Sequence, residues 1–328
     1  MRVLYLTDAN LTLSRGHAKN IVRTVGALRA SGVPCALGER LGITALFQMR
    51  HDFDVLYIRD HHLLPRAWFV KYVLRKRVVY EVHSTHGQNS LRRQLFSMAD
   101  GVVFITAKLK RYYDPEIRKP SVVVHAMGSE PEAFSALPPA SVLRQKLGLP
   151  LDAFLIVYIG SLEWYDLSVL IDMMPMLADN AVLVLGGIKE EEAERFRERA
   201  CLAGVEKRVL FPGRISWGAY SQYLAAADVL VNPLAANLPG SISSKLYEYF
   251  AAGRPIISTL GGANDEILED ERNCLVAGLT PESFAGAVRR VREEHALAER
   301  ISSQAKRDAA RYTWEARARR IADFLLEL

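Results

Sequence analysis

Residues Ser241 to Pro255 read SISSKLYEYFAAGRP. Ser241, Ser243 and Ser244 precede a helical pattern and can cap its first turn, leaving backbone N–H groups directed at an anion. Lys245 stands in that first turn, where the helix dipole favours Asp or Glu, so its presence points to a negative ligand nearby. Glu248 follows one turn later on the same face. Ala251-Ala252-Gly253 stops the helix, and Arg254-Pro255 leads into the apolar run Ile256-Ile257, which reads as a buried strand. An anion site, a carboxylate able to grip hydroxyls and a helix feeding a parallel strand together suggest a nucleotide or sugar phosphate. Taken alone, the stretch also reads as an ordinary amphipathic helix with an exposed Lys and Glu.

The chain of 328 residues is too long for one ordinary core and suits two domains of about 100 to 200 residues each. Half of it is hydrophobic and about a quarter charged, a soluble globular composition. Cys35, Cys201 and Cys274 are far apart and without CxxC spacing, so neither a disulfide framework nor a zinc site is indicated, and a reducing cytoplasm is the expected setting. Strand-like Val3-Leu4-Tyr5-Leu6 follows Arg2 at once, which leaves no pattern of a signal peptide. No apolar run approaches the roughly 18 residues of a spanning helix. The net charge of +5 is uneven: residues 1–140 hold 20 Lys/Arg against 11 Asp/Glu, the remainder 22 against 26. Basic clusters at Arg75-Lys76-Arg77, Arg92-Arg93 and Lys108-Lys110-Arg111 lie beside Trp68, Phe69, Tyr72 and Val73. Such a surface suits an anionic lipid headgroup or substrate, or simply water. Nucleic acid is not the expected partner, because no recognisable module accompanies the basic residues.

Along the chain a strand-then-helix rhythm predicts strands at 2–7, 54–58, 78–82, 102–105 and 121–124, with helices at 17–30, 64–74 and 91–98 and a short one after Thr106. Short apolar runs separated by helical periods mean a parallel sheet with crossover helices, whose ligands sit beyond the strands' carboxyl ends. Asp8, Ser14 and Gly16, then Arg59-Asp60-His61, then His83-Ser84 fall at such ends. The stretch 135–150, SALPPASVLRQKLGLP, reads as an interdomain connection. A second series follows, with strands at 154–159, 182–185, 209–211, 229–231 and 256–258. Its helices are expected at 167–177, 190–203, 217–226, in the opening stretch and near Glu266. The end of the chain, 314–328, reads as a long amphipathic helix with Ala318, Ile321, Phe324 and Leu325 on one stripe. The expected architecture is two tandem α/β sheets facing one another across a cleft.

Three segments carry a family resemblance: FPGRISWGAYSQYLAAADVLVNPL, SISSKLYEYFAAGRPIIST and GGANDEILEDERNCLV. VVYEVH ending in His83, MGSEPEAF near Phe134 and YTWEARARRI near the C-terminus add to it. In order and spacing the chain resembles the retaining glycosyltransferases of family 4, or glycosyltransferase group 1, with the two-Rossmann GT-B fold. The resemblance implies transfer of a sugar from a nucleotide-diphosphate sugar to an acceptor, with retention at the anomeric carbon. It implies neither an essential metal nor a cofactor, the co-substrate being a UDP- or GDP-sugar.

On this resemblance Glu248 would bind the ribose hydroxyls, and the amides around Ser243 and Ser244 would hold the diphosphate while Lys245 neutralises it. The turn Gly213-Arg214-Ile215 would face the base. Gly16 would approach the phosphate or sugar from the other domain, and His83 corresponds to the histidine that contacts the donor sugar. Two departures stand out. Most relatives carry an Arg and a Lys after the first strand of the second domain, where this chain has Gly160-Ser161-Leu162-Glu163-Trp164-Tyr165. Of the family's glutamates eight residues apart only Glu248 remains, since Gly240 stands in the first place. A subset of relatives shares a Lys three residues before the retained Glu, which leaves Lys245, with Arg59, as the replacement cations.

The expected organisation is an acceptor-binding domain at 1–136, a donor domain at 137–312, and a terminal helix at 313–328 that packs back on the first domain. The implied setting is glycan or glycolipid biosynthesis. The acceptor would be a glycan or a lipid-linked molecule, with peripheral membrane contact through the basic first domain at the cytoplasmic face. A non-catalytic GT-B partner subunit and a nucleotide-sugar epimerase are the alternatives. NAD-dependent chemistry is disfavoured, because neither YIGSLEW nor LGGIKEE completes the dinucleotide glycine pattern.

Overall fold

The computed structural model describes residues 1–12, 16–83, 90–235 and 240–328. These divide into two compact units. The first comprises Met1–Gly128, the short piece Gly240 and Ser241, and Tyr312–Leu328; the second comprises most of residues 129–311.

The first unit runs β1 (Val3–Thr7), α1 (Gly16–Ala30), β2 (Cys35–Glu39), α2 (Ile43–Gln48), β3 (Val55–Ile58) and α3 (Leu64–Trp68), which continues as a π-helical turn at Phe69–Val73. It goes on through β4 (Arg77–Val82), α4 (Ser90–Met98), β5 (Gly101–Phe104), α5 (Ala107–Tyr113) and β6 (Ser121–Val123). The strands form a six-stranded parallel sheet in the order β2-β1-β3-β4-β5-β6. All residues of β1, β3 and β5 are buried, because helices cover both faces of a parallel sheet and its strands read as unbroken apolar runs. Alternate side chains serve different cores: Leu4, Leu6, Leu56 and Ile58 join one cluster, while Val3, Tyr5, Val55 and Tyr57 join the other. The strand β2 and helix α2 have no counterpart in the sequence reading. CALGE lies at the sheet edge and mixes buried and exposed positions, and its Gly and Glu leave no apolar run that reads as a strand.

The second unit begins with α6 (Glu132–Ser135) and α7 (Ala140–Leu147), followed by β7 (Phe154–Ile159), α8 (Ser168–Asp172), β8 (Ala181–Gly186), α9 (Glu190–Leu202) and β9 (Val209–Leu210). Then come α10 (Trp217–Ala226), β10 (Val229–Asn232), α11 (Lys245–Ala252), β11 (Ile256–Ser258), β12 (Leu275–Val276), α12 (Pro281–Glu293) and α13 (His295–Ala309). The six parallel strands are ordered β12-β11-β10-β7-β8-β9. The direction of winding reverses between β7 and β10, and that is where a doubly wound sheet opens a crevice for ligands.

The stretch expected to connect the domains instead belongs to the second unit. Pro139 stands at the N-cap of α7 and Gly148 closes it in the left-handed region at φ 66. The buried Arg144 donates to Asp228 Oδ2 at 2.7 Å and to the carbonyls of Ala226, Leu151 and Ala153. Prolines that read as a linker are therefore helix punctuation. The last helix, α14 (Trp314–Glu327), lies against α1 of the first unit and buries Ala318, Ile321, Phe324 and Leu325 in its core. Among the described residues no helix is long and apolar enough to cross a membrane.

Candidate functional site

In the second unit the loops after β7, β8 and β9 and the start of α11 converge on the switch point. Gly187, at φ +83, has no room for a side chain: a Cβ there would come within 3.1 Å of the Gly160 backbone. Its N–H donates to the Gly213 carbonyl at 2.8 Å, and Gly213 itself sits at φ 68. Ile215 seats its Cδ1 against Gly186, where an added Cβ would be 2.3 Å away. Three glycine turns thus stack closely enough to bring backbone groups of distant segments together. Ile215 is half-buried and Arg214 exposed.

Lys245 reaches this stack from the first turn of α11. A Cβ on Gly160 would meet Lys245 Cε at 3.0 Å and Nζ at 3.1 Å. The lysine is buried, 7% exposed. Its Nζ lies 3.1 Å from the ring centroid of Tyr165 and 4.5 Å from that of Tyr158, and donates to the Tyr158 hydroxyl at 3.2 Å. Burial holds the ammonium well below the usual lysine range, since a low-dielectric cage disfavours its charged form. Tyr158 and Tyr165 are pushed up by burial and remain neutral hydroxyls; Tyr158 donates to the Ser161 carbonyl at 2.5 Å.

The turn before α11 is pinned rather than open. Ser243 is buried; its hydroxyl donates to Asn232 Oδ1 at 2.8 Å and pairs with the Tyr165 hydroxyl at 2.8 Å. Asn232 in turn donates to the Ser258 hydroxyl at 2.8 Å. The Ser243 N–H donates to Asn264 Oδ1 at 2.8 Å, which corrects the expectation that this amide is free for a phosphate: a buried donor has already found an internal acceptor. Ser244 is the exposed N-cap residue and makes no side-chain cap. Glu248 is half-buried one turn along, and its charge is felt at Tyr220. The structure therefore gathers Lys245, Ser243 and, through Gly160 and Gly187, the Gly213 turn. It adds Tyr158, Tyr165, Asn232 and Asn264 to them.

In the first unit the expected residues fall into a second cluster. His83 follows β4, and Arg59 follows the adjacent β3. Arg59 Nη2 donates to His83 Nδ1 at 3.3 Å, and His83 Nε2 donates to the buried Glu81 carboxylate. Glu81 also takes two bonds from Arg317 Nη2, both at 2.8 Å, and one from the Tyr57 hydroxyl. Burial and the nearby Arg59 guanidinium hold His83 down to about 4, against the pull of Glu81. The ring is neutral, with its Nε2 proton fixed toward Glu81. Burial alone would raise Glu81, but Arg317 and His83 outweigh it and keep the carboxylate ionised. Arg59 Nη1 is buried with no hydrogen-bond partner among the described residues. Glu81 and Arg317 lie in the segments VVYEVH and YTWEARARRI, but nothing in the sequence pairs two charges 236 residues apart. Gly16 is the first residue of α1; Ser14 and Ser84 lie outside the described residues.

Gly240 sits at φ +78, and a Cβ there would fall 2.6 Å from Leu109 of α5. Its carbonyl accepts from the buried Thr106 hydroxyl at 2.7 Å. The position where relatives were expected to carry a glutamate has no space for any side chain in this packing.

Residues 153–294 match the family model described as glycosyl transferases group 1. Among curated proteins, the chain is 27% identical over 247 residues to a D-inositol 3-phosphate glycosyltransferase of Streptomyces avermitilis, covering 70% of this chain and 52% of that one. To the protein of the same name from Corynebacterium urealyticum it is 24% identical over 332 residues, covering 90% and 77%. The chain spans about half to two thirds of the length of the first such relatives, 52% to 64%. Among solved structures, Anabaena HepE in complex with UDP superposes with a TM-score of 0.84 at 18% identity over the whole of both chains. WaaG, a glycosyltransferase of lipopolysaccharide biosynthesis, gives 0.66 at 16% identity over 98% of each. The chain thus has two six-stranded parallel sheets of the GT-B kind, and its second unit is similar to the group 1 glycosyltransferases over residues 153–294.

Proposed function

We propose that the protein transfers a glycosyl group from a nucleotide-diphosphate sugar to an acceptor hydroxyl, with retention at the anomeric carbon and without a required metal. The observation that carries this reading is the position of Lys245. It stands at the start of α11 beside the β7/β10 switch point, against Gly160 and next to the Gly187–Gly213 stack. In the reaction the bond from the anomeric carbon to the diphosphate oxygen breaks. The acceptor oxygen bonds that carbon on the same face, and its proton passes to the departing phosphate. Lys245 would meet the charge that builds on the leaving group, which is where stabilisation lowers the barrier most. The exposed start of α11 at Ser244 would add backbone donors, Glu248 would take the ribose hydroxyls, and the turn at Gly213, Arg214 and Ile215 would face the base. The HepE structures hold UDP and UDP-glucose, which favours a uridine donor here.

The basic first unit would receive the acceptor, a glycan or lipid-linked molecule. Arg59, with a buried nitrogen that has no partner among the described residues, would meet an anionic group there. Exposed Trp68, Tyr72 and Val73 beside the basic residues suit contact with an anionic membrane surface, in keeping with a cytoplasmic enzyme of glycan or glycolipid synthesis. A second reading, a non-catalytic nucleotide-binding or activating subunit, is favoured by the burial of Lys245 in its cage and the missing Arg and Lys at Gly160–Tyr165. Thermal-shift and calorimetric titration with UDP, GDP and ADP and their sugars test both. Glu248→Ala should weaken nucleotide binding about 10- to 100-fold, the weight of one or two hydrogen bonds to a charged group. Unchanged affinity removes Glu248 from the site, and folded protein that binds nucleotide without hydrolysing or transferring any sugar supports the second reading.

A further inference from the structure

Lys245 is a buried amine with no acidic partner among the described residues. Its Nζ touches the two tyrosine rings and the Tyr158 hydroxyl, and burial is what disfavours its charged form. The titratable groups that touch it are Tyr158 at the end of β7 and Tyr165 in the turn that follows, and behind them Tyr249 on its own helix and Tyr220 on α10 act on Tyr158. Each is pushed up and stays uncharged at neutral pH. The carboxylate of Glu248, a turn further along α11, acts on Tyr220 and is not among the influences on Lys245. Aromatic faces offset part of the desolvation of an ammonium, but an unpaired buried charge is costly, and the ordinary escape is to lose the proton. Gly160 matters for the same reason, since any side chain there would press on Lys245 Cε and Nζ.

We propose that Lys245 is a proton-linked anion receptor: it stands as a neutral amine in the free protein, and an arriving nucleotide diphosphate draws one proton from solvent onto Nζ. Tyr158 and Tyr165 are the positioning residues that hold Nζ for this. The proposal rests on the reading of Lys245 as the diphosphate ligand. The step is a simple protonation: the Nζ lone pair takes a solvent proton, an N–H bond forms, and the resulting ammonium pairs with a phosphate oxygen. Nucleotide affinity then falls as pH rises, because the proton that accompanies binding becomes scarcer.

The sign for folding is the opposite. The native amine binds its proton less tightly than the unfolded chain's lysine, so between the two pKa values the unfolded state carries more protons and stability rises with pH. Two measurements separate the parts of the proposal. The first needs no nucleotide: urea unfolding of the wild type and Lys245→Met from about pH 7 to about pH 9. The ratio of their unfolding constants should change by up to about tenfold per pH unit, with Lys245→Met the more stable protein at the lower end. A flat ratio means a charged lysine in the free protein and overturns the proposal.

The second is calorimetric titration with UDP near pH 8, in buffers of differing ionisation heat. The wild type should take up close to one proton per UDP. Lys245→Met should take up none and bind at least about tenfold more weakly. Lys245→Arg, charged at every pH, should bind without uptake, and Tyr165→Leu, which opens the cage, should reduce it. UDP binding that depends on Glu248 but takes up no proton, or the same uptake in Lys245→Met, overturns this proposal and leaves the transferase reading standing. Folded protein that binds none of UDP, GDP or ADP removes the site reading itself, and the receptor role with it.

Discussion

Arg317 carries its charge into the core of the first unit, 4% exposed, where it donates to Glu81, to Thr24 and to the carbonyls of Val124 and His125. Glu81 is fully buried in return and also holds the ring of His83. Whether such a pair adds net stability over an apolar substitute depends on its geometry, but removing one partner strands the other. Arg317→Met should therefore cost about 3–5 kcal/mol, measured by urea denaturation, because Glu81 remains ionised with no full counter-charge. With its Nε2 proton given to Glu81 and Nδ1 accepting from Arg59, His83 has both ring nitrogens committed. A sugar contact at this residue would have to use its backbone or displace Arg59.

At the scale of elements, glycine at the right place decides which loops can meet. Gly240 shows it most sharply, with its positive φ and a Cβ position 2.6 Å from Leu109. Gly240→Ala combines overpacking with an unfavourable backbone and should destabilise the protein by about 1–3 kcal/mol. Gly218 in α10 offers the contrast: nothing lies within 4 Å of its would-be Cβ. Gly218→Ala should be neutral or stabilise by up to about 1 kcal/mol through helix propensity. Equilibrium unfolding of the two variants side by side checks both signs. The missing glutamate at position 240 thus has a packing reason, which the sequence alone presented only as a departure from the family pattern.

For the molecule as a whole, the chain leaves the first unit after Gly128 and returns to it at Tyr312. The helix α14 completes a core shared with α1, β1 and β3, and fills the space over Gly101 and Gly128 with Phe324, Leu328 and Trp314. A chain ending after Arg311 would expose that core and remove Arg317 at once. Hydrogen exchange should then show β1, β3 and β4 losing protection while β7, β8 and β10, whose core lies in the second unit, keep theirs. Equal loss in both sheets would mean that the units do not unfold separately.

Most of the strands were legible in the sequence because fully buried parallel strands, such as VLYLT and FLIVYI, leave unbroken apolar runs of the right length. The edge strand CALGE and the helix inside the proline-rich 135–150 stretch were not, since half-exposed or Pro-flanked segments carry no such run. The sequence by itself determined two α/β units, the helix of SISSKLYEYFAAGRP at the heart of the second, and a cation and a carboxylate one turn apart on it. It was silent on what surrounds that cation. Tyr158, Tyr165 and Gly160 lie some eighty residues away along the chain, and only the closing of β7 against β10 brings them to Lys245. The charge state of the lysine follows from that enclosure, because desolvation depends on neighbours in space and not on neighbours in sequence.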